Sequence, residues 1–369
     1  MNSLEEKVYN KLSKKGWIDF QHYKIEKYDE IRDRFISLFE DIEEVISLYE
    51  FGKVKNPGIS DIDLAIVLSK ETMNNEDLNR QLEEIYQNSD FNDMLCGGTV
   101  MVFSEEDFPL LNLLDDIEVH RLYGKKIDLI VFNSSKETMI RIFQIFDWLP
   151  ERLLSLSKVL SKDKILIKSV LGYLYSIRYT FRILDSLGIV KEQKLNDFIN
   201  SIESLRNNWF NYNSEIKLKQ LYSLIISMYT LGEKYIWMFS SWSEEKFNIK
   251  YINTELPIQF NLTQNSGFLL TEKKDNYLSF LNNSLDSTEF FLPVPSAWMY
   301  HWSIYSYFDG FISEKIDKNL KSKSIDINYL EGDYLIIAEE RIGLCNNMAQ
   351  FLFSRKIEKG LYKFGWFYK

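Results

Sequence analysis

Residues 44–68 read EVISLYEFGKVKNPGISDIDLAIVL, and this stretch decides the fold. Its opening run is apolar with β-branched and aromatic members, the composition of a strand, and it stops at Gly52. The loop that follows, KVKNPGIS, holds Pro57 and Gly58, two strong turn formers. A second strand, DIDLAIVL at 61–68, opens on two aspartates. Side chains alternate faces along a strand. Asp61 and Asp63 therefore share one face, while Ile62, Leu64, Ile66 and Leu68 share the other and point to a core. Two carboxylates about 7 Å apart on one strand face repel each other unless a cation lies between them. Mg²⁺ suits such a position, because it takes a few carboxylate oxygens and leaves the rest of its shell to substrate phosphates.

Working outward, residues 1–42 have helical spacing, with Leu4, Val8 and Leu12 and then Ile31, Phe35, Leu38 and Phe39 in phase. Residues 75–88 read as a helix and CGGTVMVF (96–103) as a strand. IEVHRLYGKKIDLIVF (117–132) reads as two strands joined by a tight turn at Gly124-Lys125. His120 and Arg121 fall in this hairpin as surface positions. Asp128 repeats the earlier pattern, an acid at the head of an apolar strand. If its strand neighbours the first pair, three carboxylates converge at one sheet edge. That set suits a two-metal centre for in-line displacement at phosphorus, with metals roughly 3.5–4 Å apart.

After Asn133 the texture changes. Residues 136–245 are helical almost throughout, with breaks near Asp163, Gly188 and Asn211. Lys164, Lys168, Tyr175, Arg178 and Arg182 fall near one helix face. Set across a cleft from the aspartates, Lys168, Tyr175 and Arg178 would grip a triphosphate and stack on its base. The plainer reading of each is the solvated side of an amphipathic helix. From about 250, INTELPIQFNLT reads as a strand, SAWMYHWSIYSYFDGFISEKI as a buried helix and DYLIIAEE as a strand. The tail GLYKFGWFYK is aromatic enough to require packing or an interface, compatible with a homo-oligomer. The expectation is an α+β chain in three parts: a small mixed sheet with flanking helices at 1–135, a helical domain at 136–245 and a mixed α/β unit at 246–369.

Composition narrows the function classes. The chain has 369 residues, 45% hydrophobic and 15% aromatic, which is a globular and not a disordered balance. No apolar run reaches membrane-spanning length, and the first residues lack the apolar core of a signal peptide. Cys96 and Cys345, with His22, His120 and His301, are too scattered for a zinc motif or a disulfide framework. A cytoplasmic setting without membrane contact is expected. The net charge of −10 is uneven: residues 1–135 carry −13, 136–245 carry +3 and the remainder is neutral. An acidic first third repels a phosphate backbone and favours a divalent cation or a cationic small acceptor over RNA.

The order strand, Gly52, loop, Asp61-x-Asp63 strand, helix, strand and a later strand acid, Asp128, resembles the DNA polymerase β-like nucleotidyltransferase superfamily. The resemblance covers residues 44–132, and the helical segment after it is similar in placement to the second domain of kanamycin-nucleotidyltransferase-like members. It implies transfer of a nucleoside monophosphate from an NTP such as ATP to an acceptor, with release of pyrophosphate. It also implies two Mg²⁺ ions, or Mn²⁺, held by Asp61 and Asp63, with Asp128 holding the catalytic metal and helping to deprotonate the attacking hydroxyl. The family has serine after the glycine, where this chain has Lys53. A lysine meets phosphate as a point charge, and Ser60 offers a hydroxyl beside Asp61. Three functions follow from this: transfer to a small-molecule acceptor, transfer to a macromolecule such as tRNA or protein, or a catalytically inactive module that binds nucleotide or a partner. The acidic first third favours the first, and Lys53 is the only support for the last.

Overall fold

The computed structural model describes residues 3–14, 16–18, 20–70, 76–95, 100–116, 118–247, 298, 301 and 333–357. The fold is α+β. The chain divides into a helical unit, residues 1–20 with 141–335, and a sheet unit, residues 21–140 with 336–368.

In the sheet unit, four strands lie in the order β4-β3-β2-β5. β2 (Val45–Phe51) is antiparallel to β3 (Asp63–Leu68) and to β5 (Val119–Gly124), and β3 is parallel to β4 (Met101–Ser104). The apolar face foreseen for β3 is present: Ile62, Leu64, Ile66 and Leu68 are buried in one core. That face is covered by α2 (Ile25–Phe39), through Tyr28, Ile31, Phe35 and Phe39. α3 (Glu76–Gln87) adds Leu78, Leu82 and Ile85, and α4 (Ser89–Met94) adds Phe91 and Met94. Fully burying side chains of this size contributes about 1.5–3 kcal/mol each, so the α2 stripe is a large part of what holds that helix on the sheet. The other face is covered by tilted and edge-on aromatic rings. Tyr49 lies 4.5 Å from Phe108 in a 3₁₀ turn at Phe108–Leu113, and Phe103 lies 5.7 Å from the same ring.

Two expectations for this unit need correction. Residues 127–132, read as the second strand of a hairpin, enter no ladder. Their backbone groups find other partners: Ile127 N–H donates to the Tyr49 hydroxyl at 2.7 Å and Ile130 N–H to the Pro109 carbonyl at 2.8 Å. Gly124 ends β5 at φ +81° in place of a two-stranded turn. The strand expected at DYLIIAEE is instead the start of α9 (Asp333–Ser354). Tyr334, Ile337, Ala338, Arg341, Ile342, Cys345 and Met348 are buried at helical spacing. A short apolar run has no period of its own to tell strand from helix. Within the sheet unit this helix supplies Leu352 to the core, and Ile357 follows just beyond it. Arg341 donates to the carbonyl of Leu113, and Arg355 to that of Ser69.

In the helical unit, α1 (Ser3–Lys14) is followed by a short strand β1 (Gly16–Ile18), absent from the sequence reading, which pairs in parallel with β6 (Lys164–Leu166). α5 (Ser134–Ser161), α6 (Ile167–Ser186), α7 (Gln193–Asn207) and α8 (Ser214–Phe247) break where expected, near 163, 188 and 211. α8 approaches α5 closely at Gly232, where an added Cβ would lie 2.8 Å from a Leu153 methyl. Trp298 and His301 are fully buried and helical, in keeping with a core reading of that aromatic run. His301 stacks on Phe146 at 4.3 Å and meets Asp147 Oδ1 at 3.1 Å. The strand read at INTELPIQFNLT, the rest of the run around Trp298 and the tail at 360–369 lie outside the described residues.

Candidate functional site

β2 and β3 run antiparallel, with Phe51 opposite Asp63 at the end of the pair. The connection between them is short and highly bonded. It leaves β2 through Gly52 at φ +68°, a left-handed conformation that L side chains rarely adopt. Gly52 N–H donates to the Glu118 carbonyl at 2.7 Å, which ties the turn to the segment entering β5. Farther along, the Asn56 carbonyl accepts from Ile59 N–H at 3.0 Å and Ser60 N–H at 2.8 Å. Ser60 Oγ accepts from Asn56 N–H at 3.1 Å. Just after the loop, Ile62 N–H donates to the Met94 carbonyl at 2.9 Å. Asp61 and Asp63 therefore flank a residue that is both buried and bonded.

Asp61 is exposed, Ile62 buried, Asp63 half-buried and Leu64 buried. This is the alternation that puts both carboxylates on one face. Two carboxylates placed so could hold a hard divalent cation, which would complete its shell with water and phosphate oxygens. Asp128 stands apart from the pair in character: its side chain is 77% exposed and ion-paired to Lys126 at 2.6 Å. Among the described residues, no three His, Cys, Asp or Glu side chains gather as a metal-holding group.

Lys53, at the position that is serine in the family pattern, is ion-paired to Glu118 at 3.2 Å, and His120 Nε2 lies 3.1 Å from the same carboxylate. The hydrogen bond from Lys53 draws the Glu118 carboxyl below its usual range. Ser60, proposed as a substitute hydroxyl, is engaged with the Asn56 amide.

Lys168, Tyr175 and Arg178 lie on α6 of the helical unit. Lys168 and Tyr175 are half-buried. Arg178 is 2% exposed. Its guanidinium lies 3.6 Å from the Tyr175 ring and 4.4 Å from the Tyr179 ring, and it donates to Glu203 at 3.3 Å. Arg206 covers the same Tyr175 ring at 4.1 Å. These contacts build the packing between α6 and α7.

Sequence reasoning missed Tyr28 and the pair Arg32 and Glu50. The Tyr28 hydroxyl donates to the Ser60 carbonyl at 2.8 Å and accepts from Gly58 N–H at 2.9 Å. One turn later Arg32 donates twice to Glu50 on β2, at 2.6 and 2.8 Å. Spacing had marked Ile31, Phe35 and Phe39 as the apolar stripe of this helix. Nothing in it distinguishes a tyrosine whose hydroxyl has a partner from one that is merely core.

Comparison of the chain with protein-family models, with curated proteins and with solved structures gives no match.

Proposed function

We propose that the chain is a metal-dependent nucleotidyltransferase that moves a nucleoside monophosphate from an NTP to a small-molecule acceptor, releasing pyrophosphate. The observation that carries the reading is the Asp61-x-Asp63 pair. It stands at the head of β3, across from the end of β2 and its left-handed Gly52. In this reading Asp61 and Asp63 would hold Mg²⁺ or Mn²⁺, which would supply positive charge against the phosphoryl oxygens. Gly52 lets the chain pass close to the triphosphate, and Lys53 exchanges Glu118 for a phosphate oxygen. The acceptor oxygen bonds to the α-phosphorus while the bond from that phosphorus to the bridging oxygen of the β-phosphate breaks. Pyrophosphate leaves with the electron pair, and the acceptor proton passes to a carboxylate, the role the resemblance gives Asp128. The charge of −13 on residues 1–135 supports a small or cationic acceptor over RNA.

The test incubates radiolabelled NTPs and Mg²⁺ with metabolite, RNA and protein fractions. Label is expected in the metabolite fraction, with equimolar pyrophosphate. Asp61→Asn combined with Asp63→Asn is expected to abolish transfer. That is a loss of several kcal/mol of transition-state stabilisation, on the order of 10³-fold or more, and it should come without loss of melting temperature. Label confined to RNA or protein would overturn the acceptor class. Transfer unchanged in the double variant would overturn the site.

A further inference from the structure

Two carboxylates can share a cation only if the backbone presenting them is held still, and the loop before Asp61 carries two strong turn formers, Pro57 and Gly58. Its order comes in part from a side chain thirty residues away. Tyr28 is fully buried in α2, and its hydroxyl meets the loop at two points, Gly58 N–H and the Ser60 carbonyl. The second of these is the peptide bond that leads into Asp61. Gly58 itself is left-handed at φ +86°, so the turn it makes has few alternatives once its N–H is bonded. The helix carrying the hydroxyl is fixed in turn. Arg32, one turn on, binds both oxygens of Glu50 on β2, and Ile31, Phe35 and Phe39 fill the core below.

We propose that Tyr28 is a positioning residue for the Asp61 and Asp63 pair: its hydroxyl clamps residues 58–60 and thereby sets where the two carboxylates meet the metal. This inference rests on the nucleotidyltransferase reading. The ring fills the core, as any aromatic would. The hydroxyl, with its two loop contacts, is what the role needs, and Tyr28→Phe removes it while keeping the ring.

The experiment uses the full chain and Mn²⁺ alone, with free Mn²⁺ counted by its paramagnetic resonance signal. Amide exchange is followed in parallel at residues 56–60 and in β2 and β3. Tyr28→Phe is expected to speed exchange at 56–60 while β2 and β3 stay protected. It is also expected to weaken Mn²⁺ binding about 10- to 100-fold, the usual effect of removing a group that orients metal ligands. Phe35→Leu, a core change on the same helix, serves as the control. It should lower the melting temperature and leave Mn²⁺ affinity within about twofold of wild type. Gly58→Ala, strained at its left-handed position, should reproduce the loss without touching Tyr28. Equal Mn²⁺ affinity in Tyr28→Phe and wild type, or an equal loss in Phe35→Leu, overturns the positioning role alone. A wild-type protein that binds no Mn²⁺ through Asp61 and Asp63 overturns the nucleotidyltransferase reading itself, before any Tyr28 variant is made.

Discussion

Arg32→Met tests how α2 is held over the sheet, and its cost can be worked from the contacts. Arg32 donates to both oxygens of Glu50 at 2.6 and 2.8 Å and to Asp29 at 2.7 Å. The Glu50 side chain is 6% exposed, so without the arginine it keeps a charge that water scarcely reaches. Removing one partner of a buried ion pair costs roughly 3–5 kcal/mol. The Arg32 side chain is 19% exposed, so solvent screens one side of the pair, and about 2–3 kcal/mol is the better expectation. At about 2–4 °C per kcal/mol for a body of this size, the sheet unit should melt about 4–12 °C lower. The probe must report on that unit. Among the described residues the tryptophans, Trp17, Trp148, Trp209, Trp237, Trp242 and Trp298, belong to the helical unit, so indole fluorescence is not selective for the sheet unit. Amide exchange in β2 and β3 follows the right one. Combining Arg32→Met with Glu50→Leu should restore most of the protection, because replacing both partners by apolar groups removes the stranded charge. If Arg32→Met leaves exchange in β2 and β3 unchanged, or if the double variant is weaker than the single one, the pair does not hold α2 in this way.

Two further outcomes follow from the sheet unit. Gly124→Ala would place a Cβ 2.1 Å from the Ile46 carbonyl oxygen, at a residue whose φ is +81°. Left-handed backbone costs an L-residue about 1–2 kcal/mol, and the clash with main chain adds to it. A lower thermal midpoint with slipped β2–β5 pairing is expected, and an unchanged midpoint would refute it. Burial pushes the Asp107 carboxyl up, against the pull of its hydrogen bond from Ser104 at 2.7 Å. A carboxyl raised on folding costs stability above its folded pKa, and the cost vanishes below its unfolded value. Asp107→Asn should therefore raise the melting temperature at pH 7, with a gain that shrinks as the pH falls toward 4. A gain that is absent, or that grows in acid, would contradict the sign.

What the sequence made legible was local. Ile62, Leu64, Ile66 and Leu68 against Asp61 and Asp63 is a period of two within one strand, and β3 keeps it. The helix breaks near 163, 188 and 211 are likewise local, set by turn formers and lapses in periodicity. The misread segments are those whose partner is remote. DYLIIAEE is apolar in either conformation; over its full length its helix puts Leu352 into the sheet core and brings Arg341 to the Leu113 carbonyl. IDLIVF has the composition of a strand, but the Tyr49 hydroxyl and the Pro109 carbonyl take up two of its amides, and no ladder forms. The same division runs through the site. Asp61 and Asp63 are visible as a pair because residues two apart along an extended segment share a face. The hydroxyl that binds the loop before them belongs to Tyr28, thirty residues upstream of Gly58 on a core face. There the ring satisfies the hydrophobic pattern completely and hides the polar atom at its tip. The position of Asp128 is the matching case on the other side. Its place beside the pair depends on a strand pairing that its apolar run cannot impose, because none of residues 127–132 is buried and no core face fixes a register.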